Sequence, residues 1–200
     1  MSTRFITIGR QFGSNGRLVG HELAKRLGID CYDKALIKLA AEHTDIPYED
    51  LKLVDEKKES GWKYLVDENE NLAKHYRYEH IDEVLFQLQS KIIKELASKE
   101  DCIFVGRCAD YVLKDMPHGK HIFLYAPEDV RVDAVMERYQ VDEKKARSLM
   151  KKVDKDRSYY YNYYTDQKWD DLDTYDLAID TSAFSVDEIV DILEMIFKKL

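Results

Sequence analysis

The chain has 200 residues, 35% of them charged, and a net charge of −8, which fits one domain with a large core and room for an inserted lobe. The acidic balance provides no basic surplus for gripping nucleic acid nonspecifically, and no apolar run approaches the roughly 18–20 residues of a membrane span. The apolar stretch at the N-terminus is too short for a signal peptide, and Cys31, Cys102 and Cys108 form no CxxC pair, so the expectation is a cytoplasmic protein with reduced thiols and no zinc site.

In chain order, the first apolar run begins at Phe5 and reads as a short buried strand. It leads into Gly9-Arg-Gln-Phe-Gly-Ser-Asn-Gly-Arg17 and then an amphipathic helix, Leu18 to Leu27, with Gly28 as its C-terminal stop. Ile29 to Asp33 reads as a second strand or extended link, and Lys34 to about His43 as a helix. From Thr44 to about Tyr78 apolar residues thin out and charges mix with aromatics, which predicts a helical lobe with mobile joints apart from the core, the alternative being disorder in parts of it. Ile81 to Leu96 is a helix whose stripe is Ile81, Val84, Leu85, Leu88, Ile92 and Leu96. Strands are expected at Cys102–Gly106, His121–Ala126 and Tyr175–Asp180. Pro127 opens one helix, Asp142 caps a long one with Leu149, Met150 and Val153 on its apolar side, and Ser185 with Glu188 forms a capping box for the last. Strands alternating with amphipathic helices predict an α/β fold with a mainly parallel sheet, in which ligands bind at the carboxyl ends of strands.

The candidate site residues follow strand ends. Gly13, Ser14, Asn15, Gly16 and Arg17 form a loop whose backbone N–H groups, at the positive end of a helix, suit a phosphate. It is not a standard G-x-x-x-x-G-K-[ST] loop. Aligned on Gly16, Gln11 replaces the first glycine, Arg17 the lysine and Leu18 the hydroxyl residue, so Ser14 is the nearest hydroxyl for a metal ion. A cation near a helix N-terminus opposes the dipole, which favours a phosphate-binding role for Arg17 over a purely solvated one. Arg107 needs an anionic partner, either a ligand or Asp110, and Asp33 is either a site residue or an N-cap. Arg147, Asp154 and Arg157 fall close to one helix face, followed by a tyrosine run that includes Tyr161. Such a cationic segment, 140–168, can close over a nucleotide, with Arg131 and Arg138 on the same side; the alternative is a solvated helix with intrahelical ion pairs.

Four stretches carry a family resemblance: Ile6 to Arg17, Tyr32 to Ile37, Phe104 to Tyr111, and Asp154 to Tyr161 together with Asp176 to Asp180 and Ser185 to Glu188. The chain resembles the cytidylate kinase-like family, within the P-loop nucleoside monophosphate kinases. The resemblance implies a three-layer P-loop NTPase fold with a parallel five-stranded sheet, a helical acceptor-binding lobe at 44–80 and a helical lid at 140–168, all in one domain. It implies a kinase that uses ATP as donor, with Mg²⁺, and CMP, dCMP or a related acceptor. Gly13 to Arg17 would hold phosphate, Asp33, Arg107 and Asp110 would lie on the acceptor side, and Asp154 with Arg157 would act from the lid. The departures at Arg17, Leu18 and Cys108 leave a second expectation open, a nucleotide-binding regulatory module without catalysis.

Overall fold

A computed structural model describes residues 3–33, 36 and 71–200, with 71–82 described as backbone only. Five strands, β1 (Phe5–Arg10), β2 (Asp30–Tyr32), β3 (Cys102–Val105), β4 (Gly119–Tyr125) and β5 (Leu177–Asp180), form one parallel sheet in the order β2-β3-β1-β4-β5. Among the described residues the α-helices are α1 (Gly16–Leu27), α2 (Asn71–Lys99), the short α3 (Ala109–Val112), α4 (Glu128–Tyr139), α5 (Glu143–Thr165) and α6 (Val186–Phe197). The α/β class is as the alternating elements predict, and the parallel five-stranded sheet is as the family resemblance implies.

Both sheet faces are covered, which is why the strands read as near-continuous apolar runs. Ile6 and Ile8 of β1 pack with Val19 and Leu23 of α1 and Ile189, Leu193 and Phe197 of α6. Phe5, on the opposite face, joins Phe104 and the α2 residues Leu85, Ile92 and Ile93. Burying each such side chain stabilises the fold by about 1.5–3 kcal/mol. Thr7, the polar residue in the middle of β1, is satisfied by His121 Nδ1 at 2.9 Å.

The helix ends follow local chemistry. Gly28 takes φ 69° and its N–H returns to Ala24 and Lys25, closing α1. The Asp142 side chain accepts from Lys145 N, and Ser185 with Glu188 makes the full capping box of α6. Two expectations need correction. Helix α2 begins ten residues before Ile81, and Val84 is exposed while Ile93 and Ala97 are buried. Leu85, Leu88, Ile92 and Leu96 pack towards Phe5 and Phe104 as expected, and Val84 lies at the edge of that stripe, turned to solvent. The helix expected at Lys34–His43 (apart from Leu36) and residues 44–70 of the expected lobe lie outside the described residues; 71–80 are the opening of α2.

One glycine in β4 is demanded by packing. A Cβ on Gly119 would overlap the ring of the fully buried Phe5. Gly119→Ala is therefore expected to destabilise the chain by about 1–3 kcal/mol or more. Thermal melting checks this, and Phe5→Leu in the same chain should recover part of the loss.

Candidate phosphate-binding site

Strand β1 sends the chain towards β2 while β4 sends it towards β5. The crevice between the carboxyl ends of these neighbours is a topological switch point. The loop from β1 to α1 lies there. Its start is fastened to β4: Gln11 N donates to Leu124 O at 2.9 Å and Gln11 Oε1 accepts from Ala126 N at 3.2 Å. Ser14 is 1% exposed, and its hydroxyl is shared between Gln11 O and Leu124 O at 2.9 and 3.0 Å. It braces the loop from inside.

Gly13 has φ +86°, and a Cβ there would stand 2.8 Å from the backbone oxygen of Arg131. Asn15 takes the left-handed φ of 58° as N-cap of α1, with no side-chain capping bond. Its amide oxygen accepts instead from Arg138 at 2.7 Å, beside a recess of about 350 Å³ lined also by Ala134 and Glu137. Among the described residues, the first N–H of α1 with a backbone acceptor is that of Val19, which bonds Asn15 O. The opening N–H groups of the helix are therefore left for an anion.

The other expected residues divide into groups. Asp154 of α5 accepts from Phe12 N at 2.7 Å and from Arg131 at 2.6 Å, and Arg131 also donates to the carbonyls of Phe12 and Ala126. Arg157 donates to Arg10 O at 3.0 Å and lies over the Phe12 ring at 5.6 Å. Asp154, Arg131 and Arg157 thus clamp α5 to the backbone of the loop. Arg17 sits on the flank, its side chain 61% exposed and its Nε 2.6 Å from Asp33 Oδ2, which His21 also reaches at 3.2 Å. Burial pushes the Asp33 carboxyl up, but the His21 hydrogen bond and the Arg17 charge outweigh it and hold the carboxyl below its ordinary value. Arg147 pairs with Glu128, Asp129 and Glu143, each at 2.8 Å, and joins the starts of α4 and α5. In this arrangement its contacts are those of an exposed ion-pair network.

At the carboxyl end of β3, Gly106, Arg107 and Cys108 take successive φ values of 78°, 61° and 53°. This left-handed turn places Asp110 at the start of α3, where it is 8% exposed and accepts from Tyr161 Oη at 2.6 Å. Tyr161 is buried among Cys108, Phe123, Trp169 and Tyr175, while Tyr159 and Tyr163 of the same run are exposed. The run is thus one helix with a buried and a wet side. Burial pushes the Asp110 carboxyl above its ordinary value, with the Tyr161 hydrogen bond offsetting part of the shift. A raised acid holds its proton in the folded chain while the unfolded chain releases it. Its stabilising contribution is complete below the ordinary carboxylate value and is lost as pH rises through the raised one. Asp110→Asn should remove that dependence. The wild-type minus variant difference in unfolding free energy, followed by denaturant titration from pH 3.5 to 8, measures it.

Sequence reasoning passed over Arg10 and Gln89. The Gln89 amide is 1% exposed and has no hydrogen-bond partner among the described residues. A Cβ on Gly16 would stand 2.6 and 2.9 Å from Arg10 Cβ and Cγ. One on Gly106 would overlap Arg10 Nη1 and stand 3.0 Å from its Cζ. Glycines at 16 and 106 were the available signal, but nothing in their spacing says which side chain fills the space.

The donor set accepts phosphate better than a protein-held metal. The loop offers N–H groups, whereas the Ser14 hydroxyl is enclosed and, among the described residues, no three His, Cys, Asp or Glu side chains are placed to hold a metal ion. Ser14, the nearest hydroxyl, would have to turn from Gln11 O and Leu124 O to hold a Mg²⁺ that neutralises phosphate charge.

Comparison with known proteins agrees with this architecture. A cytidylate kinase from Methanopyrus kandleri is 33% identical over 109 residues, which cover 50% of this chain and 56% of that protein. The chain thus matches little more than half the length of this curated relative. An uncharacterised protein from Eubacterium ventriosum superposes with a TM-score of 0.72 at 30% identity, covering 99% and 100% of the two chains. A shikimate kinase from Bacteroides thetaiotaomicron shares the fold, with a TM-score of 0.53 at 15% identity and 98% coverage of both chains. The family model for the cytidylate kinase-like family matches residues 5–183. With that match across most of its length, the chain belongs to the cytidylate kinase-like family.

Proposed function

We propose that this protein is a nucleotide-dependent phosphotransferase that moves the γ-phosphoryl group of ATP to CMP, dCMP or a related small acceptor. The observation that carries the proposal is the loop from Gly13 to Arg17, which leaves the opening N–H groups of α1 uncapped at the carboxyl edge of a P-loop kinase sheet. In this reading the loop wraps the donor phosphates, and Arg17 exchanges Asp33 for a phosphate oxygen. Asp33, Arg107 and Asp110 border the acceptor side, Asp110 through the wall it builds with Tyr161. The segment 140–168 acts as lid. Arg157 and Asp154 couple its position to the loop backbone, Arg131 and Arg147 join α4 to α5, and Arg138 ties α4 to Asn15 of the loop. Mg²⁺, when bound with the nucleotide, neutralises phosphate charge. The chain's own contribution is to orient the two substrates and exclude water, because phosphoryl transfer asks little covalent chemistry of the protein. The protein is read as cytoplasmic, acting on small molecules.

The test is turnover of ATP with a panel of nucleoside monophosphates and other small acceptors, read by product chromatography. Acceptor-dependent ADP formation, lost on Arg157→Ala, is the expected result. Absence of turnover with every acceptor would sink the enzyme claim. A second reading, a nucleotide-sensing module without chemistry, is favoured by the enclosed Ser14 hydroxyl and by the pairing of Arg17 with Asp33. Thermal stabilisation by ATP without turnover would establish it.

A further inference from the structure

Any phosphate loop needs a cation near the transferred charge, and the usual lysine stands at the junction of loop and helix. Here that junction is Asn15 and Gly16, the N-cap and first residue of α1. The helix opens one residue earlier than an alignment on Gly16 as the last loop glycine would have it. The residue at its mouth therefore has no side chain. Arg17, one position on, is held on the flank by Asp33.

The space above Gly16 is nevertheless filled. Arg10, the last residue of β1, lays its Cβ and Cγ where a side chain on Gly16 would begin. Its guanidinium then runs to Gly106 at the end of β3, where a second glycine makes way for it. Two glycines, ninety residues apart in sequence, border one arginine. The Arg10 backbone oxygen is also the acceptor for Arg157 from the lid helix, so the same residue is tied to the segment that would close over a nucleotide.

We propose that Arg10 supplies a phosphate-binding cation at the helix mouth, where Gly16 has no side chain and Arg17 is turned to Asp33, reaching the nucleotide from strand β1 through the gap left by Gly16 and Gly106. The assignment rests on the nucleotide-binding reading above and deepens it. It explains why an arginine suits this position. The stem must span from β1 past α1, and a planar fork can hold two phosphate oxygens at once. Glycine at 16 is then part of the same device, because any side chain there would displace the arginine stem.

The test is calorimetric binding of ATP and of inorganic tripolyphosphate to the wild-type chain and to Arg10→Met and Arg10→Lys variants. Arg10→Met is expected to weaken both ligands by roughly ten- to hundredfold, and Arg10→Lys by less. Equal binding by the wild type and Arg10→Met would overturn the role of Arg10 and leave the nucleotide reading standing. A wild-type chain that binds neither ligand would overturn both. To guard against a variant that fails to fold, phenylglyoxal modification of Arg10 in the wild-type chain is followed by peptide mass with and without ATP. Protection by ATP is expected, and an unchanged modification rate counts against the assignment.

Discussion

Replacing Asp154 by alanine is expected to lower the stability of the chain by about 2–4 kcal/mol and its melting temperature by about 5–15 °C. The carboxylate holds Phe12 N at 2.7 Å and Arg131 at 2.6 Å, with both side chains of the ion pair mostly buried, at 19% and 12% exposure. Removing it leaves a buried guanidinium without its counter-charge and a loop N–H without its acceptor. The cost of a truncated buried pair comes mainly from the charge left behind, so it exceeds the net worth of the pair itself. Asp154→Asn keeps an oxygen for Phe12 N but loses the charge, and should fall between alanine and wild type. Denaturant unfolding of the three chains measures the order. A wild-type stability for Asp154→Ala would mean that the clamp seen between α5 and the loop contributes nothing.

Gly13→Ala should leave the sheet intact but weaken ATP binding tenfold or more. Gly13 combines a φ of +86°, which costs an alanine about 1 kcal/mol, with a Cβ position 2.8 Å from the Arg131 backbone oxygen. A long side chain can swing aside, but the opposing atom here is main chain in the first turn of α4. Relief requires moving the loop or the helix, and either shift spoils the alignment of the loop N–H groups. Calorimetric binding checks the prediction, with far-ultraviolet circular dichroism as the control for fold. Unchanged affinity would show that ATP does not depend on this loop.

The two experiments probe different parts of one assembly. Asp154 tests whether α5 holds the loop from outside, and Gly13 tests whether the loop shape itself matters for phosphate. If Gly13→Ala weakens ATP binding while Asp154→Ala alters only stability, binding belongs to the loop and the clamp is scaffolding. If Asp154→Ala also reduces turnover without changing affinity, the coupling of α5 to the loop acts in catalysis.

Much of this architecture is legible in local sequence because it depends on local chemistry. Strands β1, β3, β4 and β5 appear as short apolar runs because both faces of the sheet are covered, whereas the edge strand β2, Asp30–Tyr32, carries no such run. Gly28, Asp142 and the Ser185–Glu188 capping box mark helix ends through bonds made within a few residues. The loop from Gly13 to Arg17 is recognisable as a strand–loop–helix junction for the same reason. Val84 was misplaced because helical spacing gives the width of an apolar stripe but not its orientation against a distant strand.

The sequence by itself therefore determined the order along the chain of the strands and the longer described helices, the caps that end several of them and the glycine loop at which the candidate site lies, but not the short α3. The tertiary structure decided which cation faces which partner. Arg17 pairs with Asp33, Arg131 and Arg157 hold the loop, Arg147 bridges two helix starts, and Arg10 crosses Gly16 to reach Gly106. An arginine side chain spans several ångströms and can choose among every carboxylate and carbonyl brought near it by folding. Its partner is fixed by the packing of elements far apart in the chain, which no local pattern of residues encodes.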